Sequence, residues 1–400
     1  MYLGLVKLPL MKLMKHVYRR TYRGKISFLK SQFNKMTQLI HDDTVAQIGM
    51  LKQSIHEKTV AQIDVLENKY SELSKQISQI SKIIADGFSV TENRVFYSND
   101  WSTARNTERG MCDMVSAPNF EERFKRLMSG LSSESAETIV KIIRRLQMIK
   151  GTTGAVDLFS DEEQKKLKRV YHMSKEILKI SDELYAYRHY LLPVNHFEPS
   201  VFLYNHGIDQ LDSLEVFQDK DILDVGGFIG DSVLMLSPLT SGRIHSFEAT
   251  KENFDYMQKT IELNGIKNAV LVHAAVGDTS GVIDLRFNGS ASSQDEIMVQ
   301  QPKYIERCPV ITIDDYVREH NIKVGLIKVD IEGAEQAFLR GAKETISEQK
   351  PTLLISIYHN VDDFLDIKPM IESWNLGYKF KIFKPTIGSV SAETLLICEQ

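Results

Sequence analysis

The sequence predicts an α/β protein, in which a Rossmann-like, doubly wound sheet over residues 197–400 follows a helical region and a long N-terminal helix. After residue 197, short β-rich runs alternate with amphipathic stretches, which is typical of parallel strands joined by helical crossovers. The segment DILDVGGFIG at 221–230 is an apolar run that ends in a glycine-rich turn. Two strand-like runs around a proline and glycine loop at 378–399 predict an antiparallel C-terminal hairpin at the sheet edge.

Length and composition narrow the class of protein. The 400 residues are enough for two or three structural units. No apolar run approaches the roughly 18 to 20 residues of a membrane span, and the N-terminus lacks the pattern of a secretory signal. The three cysteines, Cys112, Cys308 and Cys398, show no metal-type spacing and are expected to be buried. We therefore expect a cytoplasmic protein.

A basic amphipathic tail occupies residues 1–30, which carry eight lysines and arginines and no carboxylate. Because the whole chain has a net charge of −4, this +8 tail leaves −12 for the rest. Basic residues interleaved with leucine and methionine suit peripheral contact with an anionic membrane, and packing on the protein's own oligomer is the alternative. One short basic tail on an acidic body argues against a nucleic-acid partner.

Residues 31–86 predict one long helix for homo-oligomerisation. The segment TVAQI occurs at 44–48 and again at 59–63, a 15-residue step that returns the same side chains to nearly the same helix face. Further along, apolar positions alternate by three and four, as in a coiled coil. These positions are Ile63, Leu66, Tyr70, Leu73, Ile77, Ile80 and Ile84. A helix lying on its own globular domain is the alternative.

A connector and a helical region are predicted over residues 87–196. The segment around 137–146 places Ile139, Ile142, Ile143 and Leu146 on one helix face. The segment SDEE at 160–163 offers Ser160 as an N-cap with Glu163 reaching back, and an apolar stripe runs on through Leu184. We expect these helices to cover the domain that follows.

The residues after the predicted strands are acidic, and they form the candidate cofactor site, because ligands of open α/β sheets lie at the carboxyl ends of the strands. A triphosphate loop ends in GK[ST], whereas Gly230 is followed by Asp231, and Phe228 occupies the second glycine position of a dinucleotide loop. Carboxylates here would repel either ligand's phosphates. The predicted cofactor-binding residues of the first two strands are Asp224, Gly226, Gly227, Gly230, Asp231 and Glu248.

A cationic ligand with a ribose fits these groups better. S-adenosylmethionine has a sulfonium, an ammonium and two ribose hydroxyls that can donate to Glu248. Glycines that only make a tight turn are the alternative for the loop. A nicotinamide-dependent reductase would share the fold and Glu248, but it needs a pyrophosphate loop.

The combination of motifs resembles the FkbM-like S-adenosylmethionine-dependent methyltransferases over roughly residues 197–400. The motifs are DVGGFIGDS at 224–232, SFEA at 246–249, ENFDYMQKTIELNG at 252–265, HAAVGD at 273–278, ITIDDY at 311–316, IKVDIEGAEQAFLRGA at 327–342, ISIYHN at 355–360 and ETLLIC at 393–398. The resemblance implies a class I methyltransferase fold and O-methylation of sugars, glycans or small metabolites. Much of the family has a glutamate where Ser356 stands, so that glutamate's role cannot be transferred.

Three residues at the ends of later strands are the catalytic candidates. Asp330 is the first choice for a base or for a group that orients the acceptor, and His359 is the second. Glu332 either takes part in catalysis or caps the next helix. The site is predicted to work without a metal, and a divalent ion shared by Asp330 and His359 is the less favoured alternative.

Other residues near the strand ends have two interpretations each. Ala275 and Asp278 are predicted to line the adenine, and a simple turn at 277–278 is the alternative. His206 either rims the site or is structural. Glu335 is expected to be a buried partner or a solvated helix residue. The leading hypothesis is an O-methyltransferase acting on a sugar, glycan or glycoconjugate, and a coiled-coil scaffold with a non-catalytic domain is the main alternative.

Overall fold

The computed structural model describes residues 110–151, 157–288, 291–293 and 304–400. The predicted tail at 1–30 and the predicted coiled-coil helix at 31–86 lie outside the described residues, so both stay predictions. None of the helices in the described part of the chain combines the length and apolar character that a membrane crossing requires.

A seven-stranded sheet forms the centre of the domain, in the order β13-β14-β12-β11-β4-β5-β6. Neighbours from β12 to β6 run parallel, whereas β14 is antiparallel to both β12 and β13. This is the doubly wound sheet with an antiparallel C-terminal hairpin, so the predicted class I methyltransferase fold is confirmed. Its strands are β4 (Asp221–Val225), β5 (Ile244–Glu248), β6 (Ala269–His273), β11 (Val324–Val329), β12 (Thr352–Ser356), β13 (Lys379–Phe383) and β14 (Leu395–Glu399).

Ten α-helices in the described residues surround the strands. Four precede the central sheet and the other six lie between its strands. They are α1 (Phe120–Met128), α2 (Ser133–Lys150), α3 (Asp161–Glu176), α4 (Pro199–Phe202), α5 (Asp231–Leu236), α6 (Lys251–Leu263), α7 (Ile313–His320), α8 (Glu335–Gly341), α9 (Lys343–Gln349) and α10 (Val361–Glu372).

The central strands are buried on both faces, because alternate side chains of a strand point to opposite sides of the sheet. One face packs Leu223, Val225, Ile327, Val329 and Ile355 into the larger core, and the other packs Ile222, Leu326, Leu354 and Ile397 into a second core. Burying each of these side chains contributes about 1.5 to 3 kcal/mol to folding. The near-continuous apolar runs of the sequence therefore correctly predicted parallel strands.

The first helices follow the sequence closely. Helix α2 buries the four predicted residues Ile139, Ile142, Ile143 and Leu146. Helix α3 begins with the predicted capping box, in which the Ser160 hydroxyl accepts from the Glu163 N–H and the Glu163 carboxylate accepts from the Ser160 N–H. Asn264 and Gly265 end α6, with Gly265 at φ +65°. All three cysteines are free and buried.

The prediction of a helical region through residue 196 is wrong for its last part. Helix α3 ends at Glu176, and a three-stranded antiparallel sheet follows, formed by β1 (Leu178–Ser181), β2 (Leu184–Tyr187) and β3 (Tyr190–Leu192). The run of tyrosine, leucine and isoleucine favours extended chain over helix. The turn between β2 and β3 includes Arg188 in the left-handed region at φ +54°.

The sequence also failed to predict a second sheet between β6 and β11. It has the order β7-β10-β8-β9, and its strands are β7 (Ala275–Val276), β8 (Gly281–Asn288), β9 (Ala291–Ser293) and β10 (Tyr304–Ile311). Strand β10 pairs parallel with β7 and antiparallel with β8. This sheet inserts into the crossover after β6 and leaves the order of the central sheet unchanged.

Candidate active site

The direction of the chain reverses between β4 and β11. Strands β5 and β6 follow β4 on one side, and β12 follows β11 on the other, so a crevice forms at the carboxyl ends of the two central strands. The glycine loop after β4 and Asp330 after β11 meet at this point. The Asp330 N–H donates to the carbonyl of Val225 at 2.9 Å.

The glycine loop, residues 226–230, packs so tightly that its glycines are required. The N–H groups of Gly226 and Gly227 both donate to the carbonyl of Phe247, at 3.0 and 2.8 Å. Gly226 has φ +85°, and a Cβ there would lie 1.8 Å from the carbonyl oxygen of Asp330. Gly230, at φ +84°, is the N-cap of α5. The loop is therefore fixed against both neighbouring strands.

Asp224 stabilises the glycine loop from its buried side. Its carboxylate accepts from the hydroxyls of Ser232 at 2.8 Å and Ser246 at 2.7 Å, and it pairs with the Lys328 ammonium at 3.1 Å. The same ammonium donates to the carbonyl of Gly226 at 2.5 Å. Asp224 is 0% exposed. The sequence predicts direct contact with a cofactor, but a carboxylate buried this fully acts by positioning the loop.

Glu248, the last residue of β5, is in reach of a ligand on the loop. Its two oxygens accept from the N–H groups of Phe228 at 3.0 Å and Thr250 at 2.8 Å. Burial raises the pKa of Glu248, and these two hydrogen bonds partly oppose the rise. Each carboxylate oxygen can accept a second hydrogen bond, so Glu248 keeps the capacity to bind a diol.

Asp231 lies buried in the first turn of α5. Burial raises its pKa to about 6, against the opposing effect of His196. His196 and Lys328 compensate the charge of this carboxylate only in part. A cationic ligand above the loop would therefore be stabilised by it.

The catalytic candidates Asp330, Glu332 and His359 come together at the ends of β11 and β12. The His359 Nε2 lies 3.3 Å from Asp330 Oδ1 and 3.7 Å from Glu332 Oε2. Glu332 has φ +56°, and the N-cap of α8 is Ala334, so Glu332 does not cap that helix. The side chain of His359 is 3% exposed, whereas those of Asp330 and Glu332 are 19% and 54% exposed. The two carboxylates thus face the open side of the site.

Glu335 belongs to this cluster, although the sequence did not place it among the site candidates. It is fully buried, and its Oε1 lies 2.9 Å from His359 Nδ1. Its two oxygens also accept from the N–H groups of Ile331 at 2.9 Å and Gly333 at 3.0 Å. The sequence analysis expected either a buried partner or a solvated helix residue, and the structure shows Glu335 as a buried partner of His359. The sequence signal was the run DIEGAE, in which a glycine lets the chain fold back beneath the carboxylate.

Neighbouring charges shift the pKa values of His359, Asp330 and Asp363. Burial alone would lower the pKa of His359, but Glu335 and Asp330 outweigh burial and raise that pKa well above its usual value. Burial alone would raise the pKa of Asp330, but His359 and Lys328 hold it below its usual value. Asp363 lies beside Glu335, and burial together with Glu335 raises the pKa of Asp363 to about 8.

Tyr358 and Glu393 extend the site toward the C-terminal hairpin, and neither was a predicted site residue. The Tyr358 hydroxyl lies 3.0 Å from Glu393 Oε1 and 3.3 Å from Asp330 Oδ1. Burial, reinforced by the charge of Asp330, raises the pKa of Glu393 to about 7. The motif ETLLIC contains this glutamate, but spacing alone could not show that the hairpin returns it to the strand ends.

Three other candidates lie in different surroundings. Asp278 is at the surface, where it pairs with Arg340 at 3.0 Å, so the structure gives it a surface ion pair instead of the predicted adenine contact. Ala275 is buried in β7, paired with Val310 of the second sheet. His206 is buried, and burial lowers its pKa to about 4 with a further contribution from Lys328.

The order of the central sheet and the crevice at the ends of β4 and β11 are those of the class I methyltransferase fold. Residues 224–380 match the sequence model of the Methyltransferase FkbM domain. The predicted resemblance to the FkbM methyltransferases is therefore confirmed over these residues.

The chain is also similar to individual proteins, by sequence and by structure. A protein of Beauveria bassiana named Methyltransferase 1 is 25% identical over 189 residues, which are 42% of this chain and 75% of that protein. Among solved structures, a methyltransferase FkbM from Methylobacillus flagellatus is 19% identical with a TM-score of 0.47. The match covers 73% of this chain and 61% of that one, which is less than two thirds of its length. Fibrillarin from Aeropyrum pernix, solved with S-adenosyl-L-methionine, is 12% identical over 49% of this chain and 74% of that one, with a TM-score of 0.31.

Proposed function

We propose that this chain is an S-adenosylmethionine-dependent O-methyltransferase that methylates a hydroxyl of a sugar, glycan or glycoconjugate. The observation that carries the proposal is the junction of β4 and β11. There the glycine loop meets Asp330, whose carboxylate is 3.3 Å from His359. A cofactor on the loop and an acceptor beside Asp330 would share one crevice.

The charges of the loop support a cationic cofactor. Asp231 and Glu248 are both buried carboxylates close to the loop, and burial raises the pKa of each. A sulfonium and an ammonium would compensate them, whereas a pyrophosphate would add like charge. The Glu248 carboxylate retains acceptor capacity for the two hydroxyls of a ribose.

The acceptor side of the crevice favours a ligand rich in hydroxyls. Asp330, Glu332 and Glu393 supply carboxylate oxygens, which accept hydrogen bonds and give none while ionised. Hydroxyl groups of a neutral sugar donate to such oxygens. A phosphorylated or nucleic-acid acceptor would meet repulsion instead.

The reaction needs positioning and removal of one proton. Bound S-adenosylmethionine would supply the methyl group and keep the electron pair of the broken carbon–sulfur bond as a neutral thioether, and the crevice would position the acceptor oxygen for this displacement. The hydroxyl proton passes to Asp330 and then to water. Asp330 suits this role better than His359, because its side chain is 19% exposed and that of His359 is 3% exposed.

A methyl-transfer assay tests this proposal. Full-length protein is incubated with methyl-labelled S-adenosylmethionine and a panel of sugars, nucleotide sugars and glycans. We expect label in a product that survives mild base, as a methyl ether does and an ester does not. Asp330→Asn should lower turnover about 100-fold to 10,000-fold. Asp284→Asn, at an exposed residue paired with Arg307 in the second sheet, is the matched control and should keep full activity.

The N-terminal segments add proposals of their own. Residues 31–86 would bring copies of the chain together as a coiled coil, and the basic residues of 1–30 would hold the assembly against an anionic membrane surface. Membrane attachment would suit an acceptor that is itself carried on a lipid. Both proposals rest on sequence patterns alone.

A further inference from the structure

The surroundings of His359 carry an unbalanced negative charge. Three carboxylates, those of Asp330, Glu332 and Glu335, lie within 3.7 Å of its ring nitrogens. The imidazole can carry one positive charge at most, so the cluster stays negative even when His359 is protonated. Lys328 compensates this charge only in part, because its ammonium is also held by Asp224 and by the carbonyl of Gly226. Like charges this close together favour binding of a cation.

The imidazole of His359 has carboxylates as ion-pair partners, but no hydrogen bond to its ring nitrogens. His359 is among the most enclosed polar side chains of the site, at 3% exposed, yet neither ring nitrogen has a hydrogen bond of ordinary geometry. The flanking carboxylates are close to the nitrogens but not in line with them. Leaving such a group without hydrogen bonds is unfavourable. A metal ion on one nitrogen would remove this unfavourable contribution.

The spacing of the ligand atoms fits one small cation. Asp330, Glu335 and His359 each offer an atom within 4.8 Å of the others. The Nε2 of His359 lies 3.3 Å from Asp330 and 3.7 Å from Glu332. Atoms bound to one cation at about 2.0 to 2.2 Å lie roughly 3 to 4 Å from one another, depending on the bond angle.

Glu335 contacts the opposite side of the imidazole ring from Asp330 and Glu332. Its oxygens already accept from the N–H groups of Ile331 and Gly333, and it contacts Nδ1, the nitrogen on the far side of the ring. Histidines that bind metals commonly carry a carboxylate on the second nitrogen, which orients the ring and raises its basicity. Glu335 is thus the positioning residue, and Nε2 faces the two exposed carboxylates.

We propose that Asp330 and His359 bind a divalent metal ion, with Glu332 moving in as a third ligand and Glu335 orienting the imidazole. One imidazole and two carboxylates suit a first-row ion such as Mn²⁺ or Zn²⁺. Resting on the proposed function, the ion would take the acceptor hydroxyl as a further ligand and lower its pKa, so that a weak carboxylate base suffices. Asp330 has two oxygens, one for the ion and one for the hydroxyl proton.

Binding of Mn²⁺ tests the site without any assay of activity. Full-length protein freed of metal with a chelator is titrated with Mn²⁺, and the loss of the free-ion electron paramagnetic resonance signal counts bound ions. We expect one ion per chain. His359→Gln and Glu335→Gln should each weaken binding about 10-fold to 100-fold. Glu332→Gln should do the same, and its 54% exposed side chain makes this variant safe for folding.

His273→Gln is the matched control, because His273 also faces a carboxylate, Glu306, at 3.7 Å, but from the end of β6. It should bind Mn²⁺ as the natural protein does. Absence of stoichiometric binding to the natural protein would overturn the proposal, as would binding that survives both His359→Gln and Glu332→Gln. S-adenosylhomocysteine is titrated in the same samples. Its failure to bind beside intact Mn²⁺ binding would refute the proposed function alone, and the reverse result would refute the metal site alone.

Discussion

Under the proposed function, Glu248 is the residue on which cofactor recognition should depend most. Glu248→Ala should weaken binding of S-adenosylhomocysteine by about 1 to 3 kcal/mol, because ribose hydroxyls lose their acceptor. Calorimetric titration measures this. The carboxylate also accepts from the N–H groups of Phe228 and Thr250. Glu248→Gln keeps one acceptor oxygen and serves as the milder comparison, and unchanged affinity in both variants would remove Glu248 from the cofactor site.

Gly226 tests the close approach of the loop to β11. Gly226→Ala places a Cβ 1.8 Å from the carbonyl oxygen of Asp330 at a φ of +85°, so the loop must shift. We expect cofactor binding to fall at least 10-fold, measured by the same titration. Gly281→Ala is the control, since a Cβ there meets no atom within 4 Å. Equal affinity in the two variants would contradict the tight loop.

The charge of Asp231 should lower the stability of the folded protein while it strengthens cofactor binding. The folded protein raises its pKa to about 6 from an ordinary value of 3.8, chiefly through burial. The folded state therefore binds the proton more tightly, and stability falls as pH rises from 3.8 to 6. At pH 7.5, Asp231→Asn should raise the free energy of unfolding by about 1 to 3 kcal/mol and weaken cofactor binding. Urea denaturation at pH 7.5 checks the first effect, and a loss of stability would contradict it.

At the scale of the element, the start of α3 carries a measurable pH dependence. Burial alone would raise the pKa of Glu163, but Arg145 and the Ser160 N–H lower it to about 2. Glu163 therefore contributes stability above pH 4.5, and this contribution is lost as pH falls toward 2. Glu163→Gln should lower the free energy of unfolding by about 1 to 2 kcal/mol at pH 7.

The difference between Glu163→Gln and the natural protein should shrink steadily below pH 4.5, as followed by urea denaturation across the pH range. Glu162→Gln is the neighbouring control, because Glu162 forms a surface ion pair with Lys165 and its side chain is 78% exposed. That variant should differ by less than about 0.5 kcal/mol. A pH-independent loss in Glu163→Gln would mean that the charge of Glu163 is not what stabilises the helix.

Elements with a strong local signal were predictable from the sequence, and those set by tertiary contacts were not. The apolar runs of β4, β11 and β12 and the capping box of α3 each carry their signal within a few residues. The strands at 178–192 lack a clear period, and their tyrosines also fit a helix stripe. The second sheet at 275–311 depends on pairing across a long insertion, which no local pattern encodes.

The site shows the same division between local and long-range information. The strand-end rule correctly brought Asp330, Glu332 and His359 together, because it depends only on which strands are neighbours. This rule could not show which of the strand-end residues are buried and which are exposed. Asp224 lies beneath the loop, Asp278 lies at the surface, and Glu393 arrives from a hairpin far along the chain. The burial of a residue, and its contact with residues far away in the sequence, depend on the packing of the whole molecule.

At the scale of the whole molecule, the predicted coiled coil over residues 31–86 implies an oligomer. Full-length protein should sediment as an oligomer in analytical ultracentrifugation. Ile77→Lys would put a charge into the apolar seam and should shift the protein toward monomer. Gln76→Lys, next to the seam, is the control and should leave the oligomer intact. A natural protein that sediments as a monomer would contradict the coiled coil.

The central claim, that the crevice between β4 and β11 binds S-adenosylmethionine, is tested most directly by calorimetric titration of the full-length protein. S-adenosylmethionine, S-adenosylhomocysteine, NADH and ATP are each titrated with and without a divalent metal ion. The account predicts micromolar binding of the first two ligands and no detectable binding of NADH or ATP. Binding of NADH, or binding of none of the four, would contradict it.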